Sequence, residues 1–319
     1  MAQKIYDIIA IGEAGLDTFI KLDDASLLCT INKEQCLLCL AYGDKIAIES
    51  LHETLAHNAC NFSVGTARLG LRSALYANIG GDEVGKKVMK MLAHEGVATR
   101  YVSVQKKCKS NHSVVLNYQA ERTILVYREP HIYKLPNLAA TEWIYLTSLG
   151  KGFEKLYRQL VQQMKSNGFK LAFNPGDVQL RAGLATLKPI LEVCSVLIVN
   201  KEEAEMLTGE QGKKISELLR SLHLLGPDNV IITDGNDGAY AFDGHKLLRA
   251  RSLPAKPIEK TGAGDSFSVG LVSALIYGKT LQEGLQWGSA NSASVIEHIG
   301  PQEGLLTKSQ LFKRLKRKK

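Results

Sequence analysis

The chain has 319 residues, 45% of them hydrophobic, and a formal charge of +8. That length and apolar content are enough to bury a large core, which excludes a disordered chain. The longest apolar runs, such as Ile8 to Ile11 and Val196 to Val199, fall far short of the roughly 20 residues of a membrane helix. Asp7 interrupts the first apolar stretch, and the basic, apolar, small-residue order of a signal peptide is missing, so a cytoplasmic protein is expected.

The charge is local. Residues 301–319 hold Lys308, Lys313, Arg314, Lys316, Arg317, Lys318 and Lys319 against Glu303 alone, leaving the rest nearly neutral. A basic C-terminal end over 308–319 is expected to be solvated, and nucleic acid ranks last among partners. The six cysteines are expected to be reduced thiols, since nothing marks the chain for secretion. Cys36 and Cys39 have zinc-knuckle spacing with Cys29 nearby, but no second pair completes four ligands there, so apolar packing is the expectation.

In chain order, β-branched apolar runs alternate with segments of helical spacing, the order of a parallel sheet flanked by helices. A buried strand over Ile5 to Ile11 is followed by a helix from Ala59 to Leu69 that Gly70 stops, a strand from Ser73 to Ile79 and a helix from Val84 to Glu95. Further strands are predicted at Trp143 to Thr147, Lys170 to Phe173, Ser195 to Val199 and Val230 to Thr233. Two segments, approximately 18–55 and 100–130, break the alternation. The first holds short pieces such as Lys45 to Ile48; the second reads as Ser113 to Tyr118 and Thr123 to Tyr127 joined by a hairpin turn over Gln119 to Arg122. Together they are expected to pair into a small antiparallel sheet acting as a lid on a single domain spanning 1–319. A surface ribbon without gating is the alternative.

The densest chemical signal is Lys260-Thr261-Gly262-Ala263-Gly264-Asp265-Ser266-Phe267, which runs into a helical stretch. Small residues let backbone N–H groups approach a phosphate, and the helix N-terminus adds a positive dipole end. Asp265 beside a bound triphosphate would accept a proton from an attacking hydroxyl. The same segment also reads as a tight turn with Asp or Ser as helix cap. Other nucleotide signatures fail. Lys87 stands where a Walker A loop over Gly80 to Lys87 needs a hydroxyl, and Phe267 stands where a dinucleotide fingerprint needs a small residue.

Thr261-Gly262-Ala263-Gly264-Asp265 resembles the C-terminal signature of the ribokinase, or PfkB-type, carbohydrate kinases, and other segments agree in order. Gly12-Glu13 with Asp17, Asn58-Ala59-Cys60-Asn61 with Ala67-Arg68-Leu69-Gly70, Gly80-Gly81-Asp82, Asn200 to Glu203, and Thr233-Asp234-Gly235 with Gly238 resemble its successive elements. The resemblance covers residues 5 to about 300. It implies a ribokinase-like three-layer α/β/α fold, with a mainly parallel central sheet and a β-sheet lid, and ATP-dependent transfer of the γ-phosphate to a sugar hydroxyl.

In that resemblance Asp265 is the general base, and Gly262, Ala263 and Gly264 hold the transferring phosphate. Asn200 and Glu203 organise magnesium (Mg2+), a hard cation that keeps several waters. Asp17, Asn61 and Asn58 hold the acceptor. Thr233, Gly235, Gly238 and Thr261 lie on the nucleotide side, and Asn291 borders the adenine. Arg128, at the end of a lid strand, is placed to reach a substrate, where its charge would suit a phosphorylated sugar; a surface arginine is the plainer alternative.

Two departures stand out. Ala56 and His57 replace the usual glycine pair before Asn58, and Glu259 with Lys260 replaces an aspartate and a small residue, which leaves potassium (K+) activation open. The acceptor is a sugar in the leading reading and a nucleoside in the nearest alternative. A catalytically silent nucleotide- or sugar-binding relative is the alternative of another class. Apolar Leu37, Leu38, Leu40 and Tyr42 in the first insertion need cover, supplied either by a second subunit in a homodimer through the lid or by the chain's own body.

Overall fold

The structure is a computed structural model that describes residues 5–23, 25–29, 36–118, 121–138 and 141–316. The first half of the chain contains β1 (Tyr6–Ile11), β2 (Gly15–Leu22), β3 (Ser26–Cys29), β4 (Cys36–Cys39), β5 (Ile48–Ala56), α1 (Asn58–Arg68), β6 (Ser73–Gly80), α2 (Glu83–His94), β7 (Ala98–Gln105), β8 (Asn111–Tyr118) and β9 (Glu121–Tyr127). The middle contains β10 (Thr141–Leu146), α3 (Glu154–Asn167), β11 (Lys170–Phe173), α4 (Asp177–Ala182), α5 (Leu184–Leu191), β12 (Val196–Asn200), α6 (Lys201–Thr208), α7 (Ile215–His223) and β13 (Asn229–Thr233). The last part contains β14 (Ala239–Phe242), β15 (Leu247–Ala250), α8 (Ala263–Ile276), α9 (Leu281–Val295) and α10 (Lys308–Lys316).

Nine strands form the main sheet in the order β15-β14-β13-β12-β11-β10-β1-β6-β7. The seven from β13 to β7 run parallel, and β14 and β15 close one edge antiparallel. Alternation along β1 shows why its sequence is apolar throughout. Ile8 and Ala10 pack into one core with α1, α2, α8, α9 and α10, while Ile9 and Ile11 pack into the other with α3, α5, α6 and α7. A strand covered on both faces has no polar side. The architecture is three-layer α/β/α, as expected.

A four-stranded sheet in the order β5-β2-β8-β9 stands off this body. It is mixed rather than wholly antiparallel, because β2 and β8 run parallel. Arg100 to Gln105 does not belong to it. Those residues are part of β7, which pairs with β6 on the main sheet, so the second departure from the body begins after Gln105. No helix separates β7 from β8, and consecutive strands do not announce which sheet each one joins. Lys45 to Ile48 is not a separate strand either; β5 begins at Ile48 and runs nine residues against β2. In the expected hairpin turn, Gln119 and Ala120 lie outside the described residues, and Glu121 and Arg122 already belong to β9.

The two-stranded ribbon β3–β4 corrects the cysteine reading. Its register sets Cys29 opposite Cys36, and the two are joined in a disulfide, whereas Cys39, Cys60, Cys108 and Cys194 are free thiols. Three residues apart in a strand, Cys36 and Cys39 point to opposite faces, so their spacing serves no knuckle. At the other end of the chain, Arg314 pairs with Glu297 at 2.9 Å and Lys308 lies over the Tyr277 ring. Part of the basic end is therefore committed to packing; residues 317–319 lie outside the described residues.

Helices α8 and α9 touch backbone to backbone. A Cβ at Gly270 would lie 2.4 Å from the Trp287 carbonyl oxygen, and one at Gly288 would meet the Phe267 ring at 2.8 Å. This contact sets the axis of α8 and hence where its N-terminus points. Gly270→Ala is expected to lower unfolding stability by about 1–3 kcal/mol through overpacking, measured by denaturant titration.

Candidate active site

The C-terminal ends of the parallel strands open into a cavity of about 410 Å³ that the four-stranded sheet overhangs. Open α/β sheets bind ligands at this edge, where chain connections diverge to opposite faces. Helix α8 enters the cavity by its N-terminus. Gly262 caps it at φ 80°, and a Cβ there would collide with Pro301 at 2.5 Å, so only glycine fits. A Cβ at Gly264 would meet nothing within 4 Å, leaving its backbone open to a ligand. The first-turn N–H groups of a helix have no carbonyl partner four residues back; here Ala263 and Gly264 line the cavity, the Ala263 N–H making a 3.3 Å bond to the Lys260 carbonyl.

Asp265 is not the cap; that reading of the segment is set aside. It sits in the first turn, 8% exposed, and its Oδ2 accepts a hydrogen bond from Asn61 Nδ2 at 2.8 Å. Gln302 Nε2 donates to Asn61 Oδ1 at 3.0 Å, which holds the amide with its donor toward the carboxylate. Burial raises the Asp265 carboxyl to about 6, with Asn61 pulling the other way. Gln302 carries no motif that marks it in the sequence; only the return of the chain after α9 brings it here.

The loop before α8 is held by Glu259, which is buried. Its Oε1 accepts from the Thr261 N–H at 2.7 Å and from the Thr261 hydroxyl. Arg122, on β9, lies 3.8 Å from the same oxygen, and Lys260 pairs with Glu121 at 3.0 Å. Two charge pairs of opposite polarity thus join the small sheet to the loop before α8.

The opposite end of the cavity is acidic. Glu13 follows β1, is 3% exposed, and accepts from Asn111 Nδ2, Arg128 Nε and the Ser148 hydroxyl. Arg128 also donates to Asp177 at 2.9 and 3.2 Å, so its guanidinium is shared by two carboxylates. Asp17, on β2, lines the cavity with Ser113, and burial is the main cause raising its pKa. Asn58 opens α1 beside it. Just before, His57 has φ 72° and ψ 147°, the only positive φ outside glycine among the described residues. That backbone region is almost confined to glycine, and holding another residue there costs about 1–3 kcal/mol.

Asn200 and Glu203 reach the cavity from the end of β12 and the start of α6. Asn200 Oδ1 accepts from the Glu203 N–H and Glu203 Oε2 from the Asn200 N–H, both at 2.8 Å. This reciprocal capping box fixes both side chains and leaves Glu203 Oε1 outside it. Thr233 and Thr261 also line the cavity.

The profile of the pfkB family of carbohydrate kinases matches residues 20–308. The chain belongs to that family. An uncharacterized sugar kinase of Archaeoglobus fulgidus is 26% identical over 254 residues, covering 76% of this chain and 98% of its own length. Among solved structures, the nucleoside kinase of Methanocaldococcus jannaschii superposes with TM-score 0.80 at 21% identity over 99% of this chain and all of its own. The ribokinase of Arabidopsis thaliana, complexed with ribose and ATP, does so with TM-score 0.80 at 20% identity over 99% of both chains. Family members are ATP-dependent phosphotransferases acting on sugar and nucleoside hydroxyls, and the family resemblance read from the motifs holds.

Three expected positions lie elsewhere in this PfkB-family chain. Asn291 is fully buried away from the cavity, with Nδ2 donating to the Ser266 carbonyl at 2.7 Å and Oδ1 accepting from the Leu306 N–H at 3.0 Å. Both ends of its amide staple α9 to α8 and to the chain before α10. Gly235 and Gly238 shape the turn after β13, where Asp234 N–H donates to the Gly238 carbonyl. They are absent from the cavity wall.

Because the Asp265 pKa is raised on folding, the folded chain binds the extra proton between about pH 4 and 6. Ionisation of Asp265 therefore costs nothing below pH 4, and its full cost, of order 3 kcal/mol, applies above pH 6. Asp265→Asn, which keeps an acceptor for Asn61, is expected to raise the Tm at pH 8 and to change it little at pH 4, as followed by thermal melts across pH.

Proposed function

We propose that this chain transfers the γ-phosphate of ATP to a hydroxyl of a sugar, with Asp265 as general base. The observation that carries the reading is a desolvated carboxylate in the first turn of a helix whose glycine-rich N-terminus lies open to a phosphate. The acceptor oxygen attacks the γ-phosphorus, the bond to the β,γ-bridging oxygen breaks, and the hydroxyl proton passes to Asp265. The N–H groups of Gly262, Ala263 and Gly264 carry the charge gathering on the phosphoryl oxygens.

Asn200 and Glu203 supply oxygen ligands suited to magnesium and its waters, and among the described residues no cluster of three His, Cys, Asp or Glu side chains forms a ready-made metal cage. A cation held jointly by these two residues and by nucleotide phosphates fits that donor set. Magnesium bound there would neutralise phosphate charge. Thr233 and Thr261 would face the nucleotide.

Asp17, Asn58 and Asn61 would hold the acceptor. A sugar is favoured over a nucleoside because no Phe, Tyr or Trp lines the cavity among the described residues to offer a large ring face to a base. Lowering of the small sheet would exclude water; Arg122, Ile124 and Val126 alternate along β9, so that its inner face meets the cavity. The separate β3–β4 ribbon, which lies in the chain between β2 and β5, has Leu28 64% and Leu37 62% exposed, which supports a homodimer through it.

Asp265→Asn is expected to reduce kcat by about a hundred- to ten-thousandfold while leaving ATP affinity nearly intact, read by ADP release with ATP and magnesium. Equal loss of ATP binding would contradict the role. The kcat/KM profile of the unmodified enzyme is expected to rise through an acid limb near pH 6, the pH at which Asp265 ionises. Sedimentation equilibrium is expected to return twice the chain mass; one chain mass would refute the dimer.

A further inference from the structure

His57 holds a backbone conformation that only glycine adopts at ease. Strain of this kind persists where the surroundings enforce it, and it gathers at functional sites. The surroundings here are specific. The imidazole lies over Gly15, where any Cβ would come within 2.6 Å of His57 Nε2. The side chain is only 7% exposed, it lines the acceptor end of the cavity, and its Nε2 has no hydrogen-bond partner. An unpaired buried nitrogen is costly unless a ligand completes it.

The neighbour across the gap is Asp17, whose Oδ1 is 4.0 Å from that nitrogen. This is too long for a hydrogen bond between the two and too short to seat anything larger than one atom. A single oxygen about 2.8 Å from both spans it. To satisfy both neighbours, that oxygen must accept from Nε2–H and donate to the carboxylate. A hydroxyl does both; a phosphate oxygen has no proton to donate at neutral pH, and an ammonium has no lone pair to accept with. Arg128, the cation nearest this end, is already shared between Glu13 and Asp177 and offers no free charge to an anionic acceptor.

We propose that His57 is a specificity-determining residue, which with Asp17 grips one hydroxyl of an uncharged polyhydroxy acceptor and disfavours its phosphorylated counterpart. This rests on the kinase reading for the acceptor's fate, but the contact itself is independent of turnover. Burial lowers the His57 pKa and so favours the neutral ring that the contact uses.

The test uses D-ribose and D-fructose, their terminal phosphates, and the full-length enzyme with His57→Gly and His57→Gln. Glycine relieves the backbone, so His57→Gly is expected to fold with an equal or higher Tm. Its KM for the preferred free sugar should rise about tenfold, the worth of one hydrogen bond, with KM for ATP unchanged. His57→Gln, which places an amide nitrogen near the same point, should recover part of the loss. An unchanged sugar KM in the glycine variant, a parallel rise in both KM values with a lower Tm, or preference for the sugar phosphate would overturn the proposal.

If the unmodified enzyme turns over no sugar, the kinase reading fails, and the contact is judged alone. Asp265→Asn protein labelled with 15N in its imidazoles is titrated with the two free sugars, the His57 signal being identified by its loss in His57→Gly. Movement of that signal from a protonated Nε2 supports the contact; no movement at the highest soluble sugar concentration overturns it.

Discussion

Asn61 and Asp265 stand 204 positions apart and meet in a buried hydrogen bond of 2.8 Å. One comes from the first helix after the small sheet's outward excursion, the other from the helix that begins the last quarter of the chain. A carboxylate held in a dry environment resists ionisation, and one amide donor lowers that resistance without removing it. The result is a group that is ionised at neutral pH yet basic enough to take a proton. Its environment depends on α8 standing where its backbone contact with α9 puts it, and on α1 presenting Asn61 with Gln302 behind it.

The same economy governs the cavity's charges. Carboxylates gather at the acceptor end and are balanced internally, Glu13 and Asp177 by Arg128. At the other end the glycine-rich turn presents backbone amides and the positive end of a helix dipole, which suits an anion. Between them, the pairs Arg122–Glu259 and Lys260–Glu121 tie the overhanging sheet to the loop that carries the proposed base. Glu259 and Lys260, which looked like departures from a motif, are the residues through which sheet and loop communicate.

Much of this was legible in the amino-acid sequence. Strands buried on both faces announce themselves as apolar runs whatever their order in the sheet, so β1, β6, β10, β11, β12 and β13 were readable. A glycine-rich turn entering a helix is local chemistry, and Gly262 to Asp265, with Asn200 and Glu203, line the cavity in the fold as their motifs implied. Less legible were the places where a local pattern has two tertiary outcomes. Arg100 to Gln105 reads as a strand in either sheet, and Asn291 carries an amide that could face a ligand or a helix. The ribbon that joins Cys29 to Cys36 turns on register, which a spacing cannot state.

By itself, then, the sequence determined the layered α/β fold, the glycine-rich turn that enters α8 and the carboxylate in the first turn of that helix, because each follows from residues adjacent along the chain. Tertiary structure alone decided that Gln302 orients Asn61, that Arg128 is neutralised rather than free, that Asn291 is a staple, and that His57 faces Asp17 with an unpaired nitrogen. Those facts depend on distances between segments tens to hundreds of residues apart. Such distances are set by how helices and sheets pack in three dimensions, and neighbouring residues in sequence carry no record of them.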